Sequence, residues 1–419
     1  MRSMTFGISC ASCIAHYVRD KNAEEYKLQS PRAFEAITKA HYVDDYIDSL
    51  GNETEAIEVT LKVRDIHAAG GFNIRNWASN SPEVLKHLQG DSLDLQSPKE
   101  LGDPEKVLGM FWELATDMFK YVFRFARMKR NVLSEEALPT KREVLQVVMS
   151  IFDPLGFLSC YTIGLKMLLQ EIWRTGIGWD DILPGPQLSF WTKWKDLLPQ
   201  ATTIQVPRHY SPLLCMADFV ELHTFVDASE YGYAAVYYFR IGNGDDITVS
   251  LMAAKRKFAP LKPLSIPRME LLAAVIGARL SYKVRSIRNI SVDQHTYWTD
   301  LRTVLSWLTM DPRNFYSFVK HRVGEILETT NAGQWHWVPT KLNVADMATK
   351  FISKPNSQEW INGQMMLQKS KDQWPKQPTL CPSYKVDHDE IKKTVLIIRK
   401  ESIVVMVPLY VERFSDWKR

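Results

Sequence analysis

"ELHTFVDASEYGYAAVYYFR", residues 221–240, reads as strand, turn, strand. Two apolar and aromatic runs flank a small polar break, and Gly242 to Asp246 then signals a hairpin before a third run, "ITVSLMAAKRKF". Further on, "PRMELLAAVIGARLSYKVRSI" has the apolar spacing of a helix that starts behind Pro267, and "QHTYWTD" is another strand. "TVLSWL" starts a short helix, "QWHWVP" is a strand and "NVADMATK" opens a last helix. Three strands, helix, strand, helix, strand, helix is the order of a single mixed-sheet α/β domain over residues 219–355.

Four acids in this domain sit where solubility does not explain them. Asp227 interrupts an apolar strand, Glu270 opens an apolar helix, Asp300 ends a strand and Asp346 lies at a helix start. Singly, Asp300 and Asp346 read as helix caps, and Glu270 as a carboxylate favoured by its helix dipole. Together, two strand ends and two helix starts converge at one sheet edge, where four carboxylates repel each other unless divalent cations neutralise them. Two Mg²⁺ ions about 4 Å apart are what phosphodiester hydrolysis uses, so the constellation is a candidate nuclease site.

The chain before this domain reads as α+β and then helical. A helical pattern over 31–40 leads to "HYVDDYIDSL", whose Asp44 and Asp45 fall where a hairpin turns. "TEAIEVTLKVRDIHAAGG" is a helix stopped by Gly70 and Gly71, "GFNIRNWASN" reads as a short strand, and "KVLGMFWELATDMFKYVF" as two strands. Residues 140–198 are helical and Trp-rich, with Pro and Gly as punctuation.

"FVDASEYGYAA", "SIPRMELLAAVIGARL", "YWTDLRTVLSWL" and "WVPTKLNVADMATK" resemble the successive signature blocks of the ribonuclease H domain in BEL/Pao-type retrotransposon polyproteins. The resemblance implies metal-binding, catalytic roles for Asp227, Glu270, Asp300 and Asp346, with two Mg²⁺ (or Mn²⁺) ions as cofactor. It implies the RNA strand of an RNA–DNA hybrid as substrate, read by shape and backbone with little sequence specificity. Two departures bear on rate: Leu301 stands where the family usually has Ser, and Thr340 and Lys341 occupy a loop where some ribonucleases H carry a histidine. His336 lies earlier, on the strand.

The resemblance extends upstream. "TFGISCASC", "YVDD", "GFNIRNWASN" and "VLGMFW" resemble blocks of a reverse transcriptase palm and primer grip, which makes Asp44 and Asp45 metal-binding acids of a polymerase remnant. Polymerisation needs a further acid upstream, and none stands in residues 1–4; Asn76 replaces a commonly found Lys. "LPTKREVLQVVMSIFDPLGFLS" resembles the connection that carries the label Pao retrotransposon peptidase, although no Asp-Thr-Gly or Asp-Ser-Gly triplet supports protease chemistry. "ERFSDWKR" resembles the lead-in to an integrase region. The expected organisation is a truncated palm over 1–130, a helical connection over 131–218, the ribonuclease H-like domain, and a linker over 356–419. Other parts of the polyprotein are its expected partners.

Bulk properties narrow the classes. Apolar residues are 45% and charged residues 24%, an ordinary globular balance, and the net charge of +4 does not by itself demand a polyanion partner, although Lys255-Arg256-Lys257 and Arg124 to Arg130 are locally basic. Five scattered cysteines argue for a reducing, intracellular compartment, cytoplasmic or nuclear, over a disulfide scaffold. No apolar stretch suits a membrane helix. Cys10, Cys13 and His16, with His41 as a fourth ligand, have zinc-like spacing, but no second close ligand pair follows. The rival reading is a catalytically silent, decayed or co-opted nucleic-acid-binding protein. A transposase-like nuclease is disfavoured by the acid that opens the helix after the third strand.

Overall fold

The computed structural model describes residues 9–42, 45–89, 105–107, 110–123, 125, 132–134, 138–260, 262–285, 290–379 and 390–391. In chain order its first half carries α1 (Ala11–Glu24), α2 (Pro31–Lys39), β1 (His41–Tyr42), β2 (Asp45–Tyr46), α3 (Glu53–Ala69), α4 (Pro82–Gln89), β3 (Glu105–Val107), β4 (Met110–Glu113) and β5 (Met118–Lys120). Then come α5 (Lys141–Ser150), α6 (Ser159–Thr175), α7 (Gly185–Lys195), α8 (Leu198–Thr202) and β6 (Gln205–Pro207). The second half is β7 (Phe219–Ala228), β8 (Gly232–Asn243), β9 (Asp246–Phe258), α9 (Ile266–Arg285), β10 (Gln294–Thr299), α10 (Arg302–Thr309), α11 (Ser317–Thr329), β11 (Trp335–Trp337) and α12 (Ser357–Asn362).

The mixed five-stranded sheet expected of a ribonuclease H-like domain is present, in the order β11-β10-β7-β8-β9. β7, β8 and β9 pair antiparallel, while β10 runs parallel to both β7 and β11. β7 and β8 are buried on both faces and mostly apolar because both faces are covered. One face packs Val226, Ala235 and Tyr237 against α9. The other packs Phe225, Val236, Tyr238 and Trp298 against Phe157, Leu158 and Tyr161 from the connecting helices and Trp360 and Leu367 from the following tail. α9 lies close on the sheet because Gly277 has no side chain; a Cβ there would stand 2.9 Å from a Val226 methyl.

Three expectations are corrected. "NVADMATK" forms a 3₁₀ turn over Val344–Ala348, not a helix start: the Asn343 side-chain amide donates to the Val226 carbonyl at 2.9 Å and ties the segment down before an α-helix can develop. "GFNIRNWASN" pairs with no strand, and Asn76 sits at φ 58, a left-handed conformation that ends an extended run. The helix α11 is additional to the expected order, and its apolar Val319, Val323 and Ile326 are all buried in the α9 core. The connecting region is helical as expected, and α5 opens on a capping box between Thr140 and Glu143. It also supplies β6, which completes a four-stranded sheet with β3, β4 and β5. The hairpin of the first region closes between β1 and β2, with Tyr42 opposite Asp45.

Candidate metal centre

Asp227 is the penultimate residue of β7 and is 2% exposed. The Thr349 hydroxyl donates to one of its carboxylate oxygens, and Thr349 itself is fixed because its carbonyl accepts from the Ser229 hydroxyl at 2.8 Å. Glu270 lies in the first turns of α9 and is 3% exposed. One Glu270 oxygen accepts the Ala228 N–H at 2.9 Å, and the other is buried with no hydrogen-bond partner. Asp300 follows the last residue of β10, and the Trp337 indole N–H holds its carbonyl at 3.0 Å.

The sequence-expected acids Asp227, Glu270 and Asp300 therefore converge, each offering a carboxylate oxygen within 4.8 Å of the others. They do so because β7 and β10 run parallel and end at the same side of the sheet, where α9 begins. Asp346 is outside this triplet. Its carboxylate binds the Lys350 ammonium one helical turn on, with about a quarter of the Asp346 side chain exposed (26%).

The electrostatics suit a cation-binding centre. Burial pushes the Asp227 carboxyl up to about 7; the Thr349 hydrogen bond opposes this, and the Asp300 and Asp346 charges add to it. Burial, then the charges of Asp227 and Asp300, push Glu270 well above the carboxylate range. Burial works against the Lys350 ammonium, but its hydrogen bond and attraction to Asp346 and the pull of Asp227 and Asp300 raise it overall. An all-oxygen set with an orphaned buried carboxylate oxygen suits a hard divalent cation such as Mg²⁺ or Mn²⁺.

The remaining sequence candidates add no second metal group among the described residues. Asp44 lies outside the described residues, and Asp45 is exposed on the two-residue β2. Among the described residues, Asp227, Glu270 and Asp300 form the one group of three or more His, Cys, Asp or Glu that could hold a metal ion. The Cys10–Cys13–His16–His41 set does not form: both thiols are exposed, and His41 stacks on His67 at 5.0 Å, where burial pushes it down to about 4. His336 lies on β11, 5.4 Å from the Trp298 ring.

Sequence reasoning missed Thr349, Lys350 and Trp337. The first two stand three and four positions after Asp346, the spacing of one turn, which was a readable signal. Trp337 had none, since its role depends on β11 pairing with β10.

Residues 140–301 match a family model described as a Pao retrotransposon-like RNaseH-like domain. The span takes in the connecting helices together with Asp227, Glu270 and Asp300; its description names no peptidase. No curated protein matches the chain. Among solved structures, the N-terminal ribonuclease H domain of a Mycobacterium tuberculosis protein, fused to maltose-binding protein, is similar at 13% identity over 31% of this chain and 91% of that one, with a TM-score of 0.22. No helix among the described residues is long and apolar enough to cross a membrane.

Proposed function

We propose that the chain is a retroelement-derived protein whose ribonuclease H-like domain hydrolyses the RNA strand of RNA–DNA hybrids at Asp227, Glu270, Asp300 and Asp346. The observation that carries this reading is the meeting of three carboxylates within 4.8 Å, two of them almost fully buried. Like charges so placed destabilise a fold that has no use for them.

Asp227, Glu270 and Asp300 would hold the cation between them, with the partly exposed Asp346 near enough for its charge to act on Asp227. Bound there, divalent cations supply a lowered water pKa and neutralise charge on the leaving oxygen. The protein's own part is positioning. Thr349 orients Asp227, the Ala228 N–H aims Glu270, and the Trp337 indole fixes the turn that carries Asp300. Lys350 engages Asp346 until substrate or cation competes for that carboxylate.

The 419-residue chain is expected to cleave the RNA strand of a labelled hybrid with Mg²⁺ or Mn²⁺, and Asp227→Asn to lose activity by at least about a hundredfold. Equal cleavage by wild type and variant, or none by a folded wild type, would sink the nuclease reading and leave the silent nucleic-acid-binding one.

A further inference from the structure

Between the connecting helices and the edge strand β9 lies a cavity of about 350 Å³, lined among others by Asp153, Lys166, Arg256 and the exposed Lys255 at its rim. The basic run Lys255-Arg256-Lys257 is thus split: the two lysines face solvent, and Arg256 turns inward. Its guanidinium donates to the Ser159 carbonyl at 2.7 Å and to the Thr162 hydroxyl, which fixes its plane at the base of α6. Lys166, one turn along α6 from Thr162, has no hydrogen bond or ion pair; its ammonium lies over the Phe258 ring, 6.0 Å from the centroid.

Lys166 and Arg256 share this cavity without a carboxylate at ion-pair distance. Asp153, the one acid lining it, spends both oxygens on the Leu158 N–H at 2.9 Å and the Tyr121 hydroxyl at 3.0 Å. Burial, and then the charge of Arg256, push the Lys166 ammonium down to about 8. A half-buried cation pair of this kind is relieved by an anion with several acceptor oxygens.

Its place in the sheet says which anion. Asp227 stands opposite Ala234, and Ala234 opposite Arg256, so Arg256 shares one face and one level of the sheet with Asp227 of the candidate metal centre. Two strand spacings put them about 10 Å apart, a span of about three base steps along one strand of a duplex. We propose that this cavity receives a backbone phosphate of the bound polynucleotide, held by Lys166 and Arg256, a few nucleotides from the strand lying over Asp227. The proposal rests on the hybrid-binding reading above and adds to it a grip built jointly by the connecting helices and the edge strand.

The test is hybrid binding by the full chain, read by fluorescence anisotropy in Ca²⁺ across a salt series, so that no cleavage is needed. Lys166→Gln removes an unpaired ammonium and is expected to melt no lower than wild type. It should weaken hybrid binding roughly three- to tenfold and reduce the salt slope by about one, and Lys166→Arg should restore both. An unchanged affinity and slope in Lys166→Gln would overturn the proposal while leaving the nuclease reading intact if Asp227→Asn still abolishes cleavage. Inorganic phosphate that stabilises wild type but not Lys166→Gln, with hybrid binding unchanged by the substitution, would assign the cavity to a free anion and overturn it as well. A wild type that binds no hybrid overturns both readings together.

Discussion

Asp227 is the residue at which charge and burial conflict most directly. Its carboxyl titrates near 7 in the fold, well above its ordinary 3.8, chiefly because it is buried and then because Asp300 and Asp346 are close. A carboxyl raised on folding contributes stability that is full below its unfolded pKa and lost as the pH rises through its folded one. In chelator, the protein should therefore lose on the order of 3 kcal/mol from this group between about pH 4 and pH 7. Asp227→Asn should flatten that part of the profile, and Mg²⁺ should stabilise wild type most at the alkaline end. Urea unfolding across pH, with EDTA and with Mg²⁺, reads both; a wild-type profile that matches the Asn variant over this window would refute the argument. The acids were legible because a carboxylate in the apolar run "HTFVDAS" has no solvent-facing excuse. Thr349 and Trp337 were not, because a hydroxyl or an indole in sequence does not announce which backbone or carboxylate the fold will bring to it.

At the scale of elements, periodicity carried the sheet and α9, since both are long, apolar and bounded by Pro or Gly. It failed on short segments, where one side chain decides: Asn343 turns an expected helix into a 3₁₀ turn, and Asn76 breaks an expected strand. It also passed over α11, whose Lys320, His321 and Arg322 obscure buried Val319, Val323 and Ile326 at helical spacing. The turn before α6 depends on a single glycine. Gly156 sits at φ +78, and a Cβ there would lie 1.9 Å from the Ala254 carbonyl of β9, where Ala254 donates its N–H to Leu155 at 2.8 Å. Gly156→Ala forces that seam apart, so a loss of about 3 kcal/mol is expected, seen as a lower urea midpoint with an unchanged slope. A variant within about 0.5 kcal/mol of wild type would show that the turn and strand are not coupled in this way.

For the molecule as a whole, the expected boundary at 218/219 cuts through a shared core. Phe225, Val236, Tyr238 and Trp298 of the sheet bury themselves against Phe157, Leu158 and Tyr161 from one side of that boundary and Trp360 and Leu367 from beyond residue 355. Polar contacts lock the same interface: the Trp360 indole donates to the Phe157 carbonyl at 2.7 Å, the Tyr238 hydroxyl to the Trp360 carbonyl at 2.7 Å, and Arg256 to Ser159 at 2.7 Å. Sequence patterning reads each element's own period and cannot see that a strand's second face is covered by a helix sixty residues earlier. A fragment of residues 219–355 would present that aromatic face to water, an apolar patch of the kind that drives association. A fragment of residues 138–379 keeps both covers and is expected to unfold in one transition, with tryptophan fluorescence and far-UV circular dichroism coincident. The shorter fragment should bind a hydrophobic dye and aggregate. Two separate transitions in 138–379, or a stable monomer of 219–355 with the same midpoint, would show the connecting helices to be an independent unit and the shared core to be unimportant.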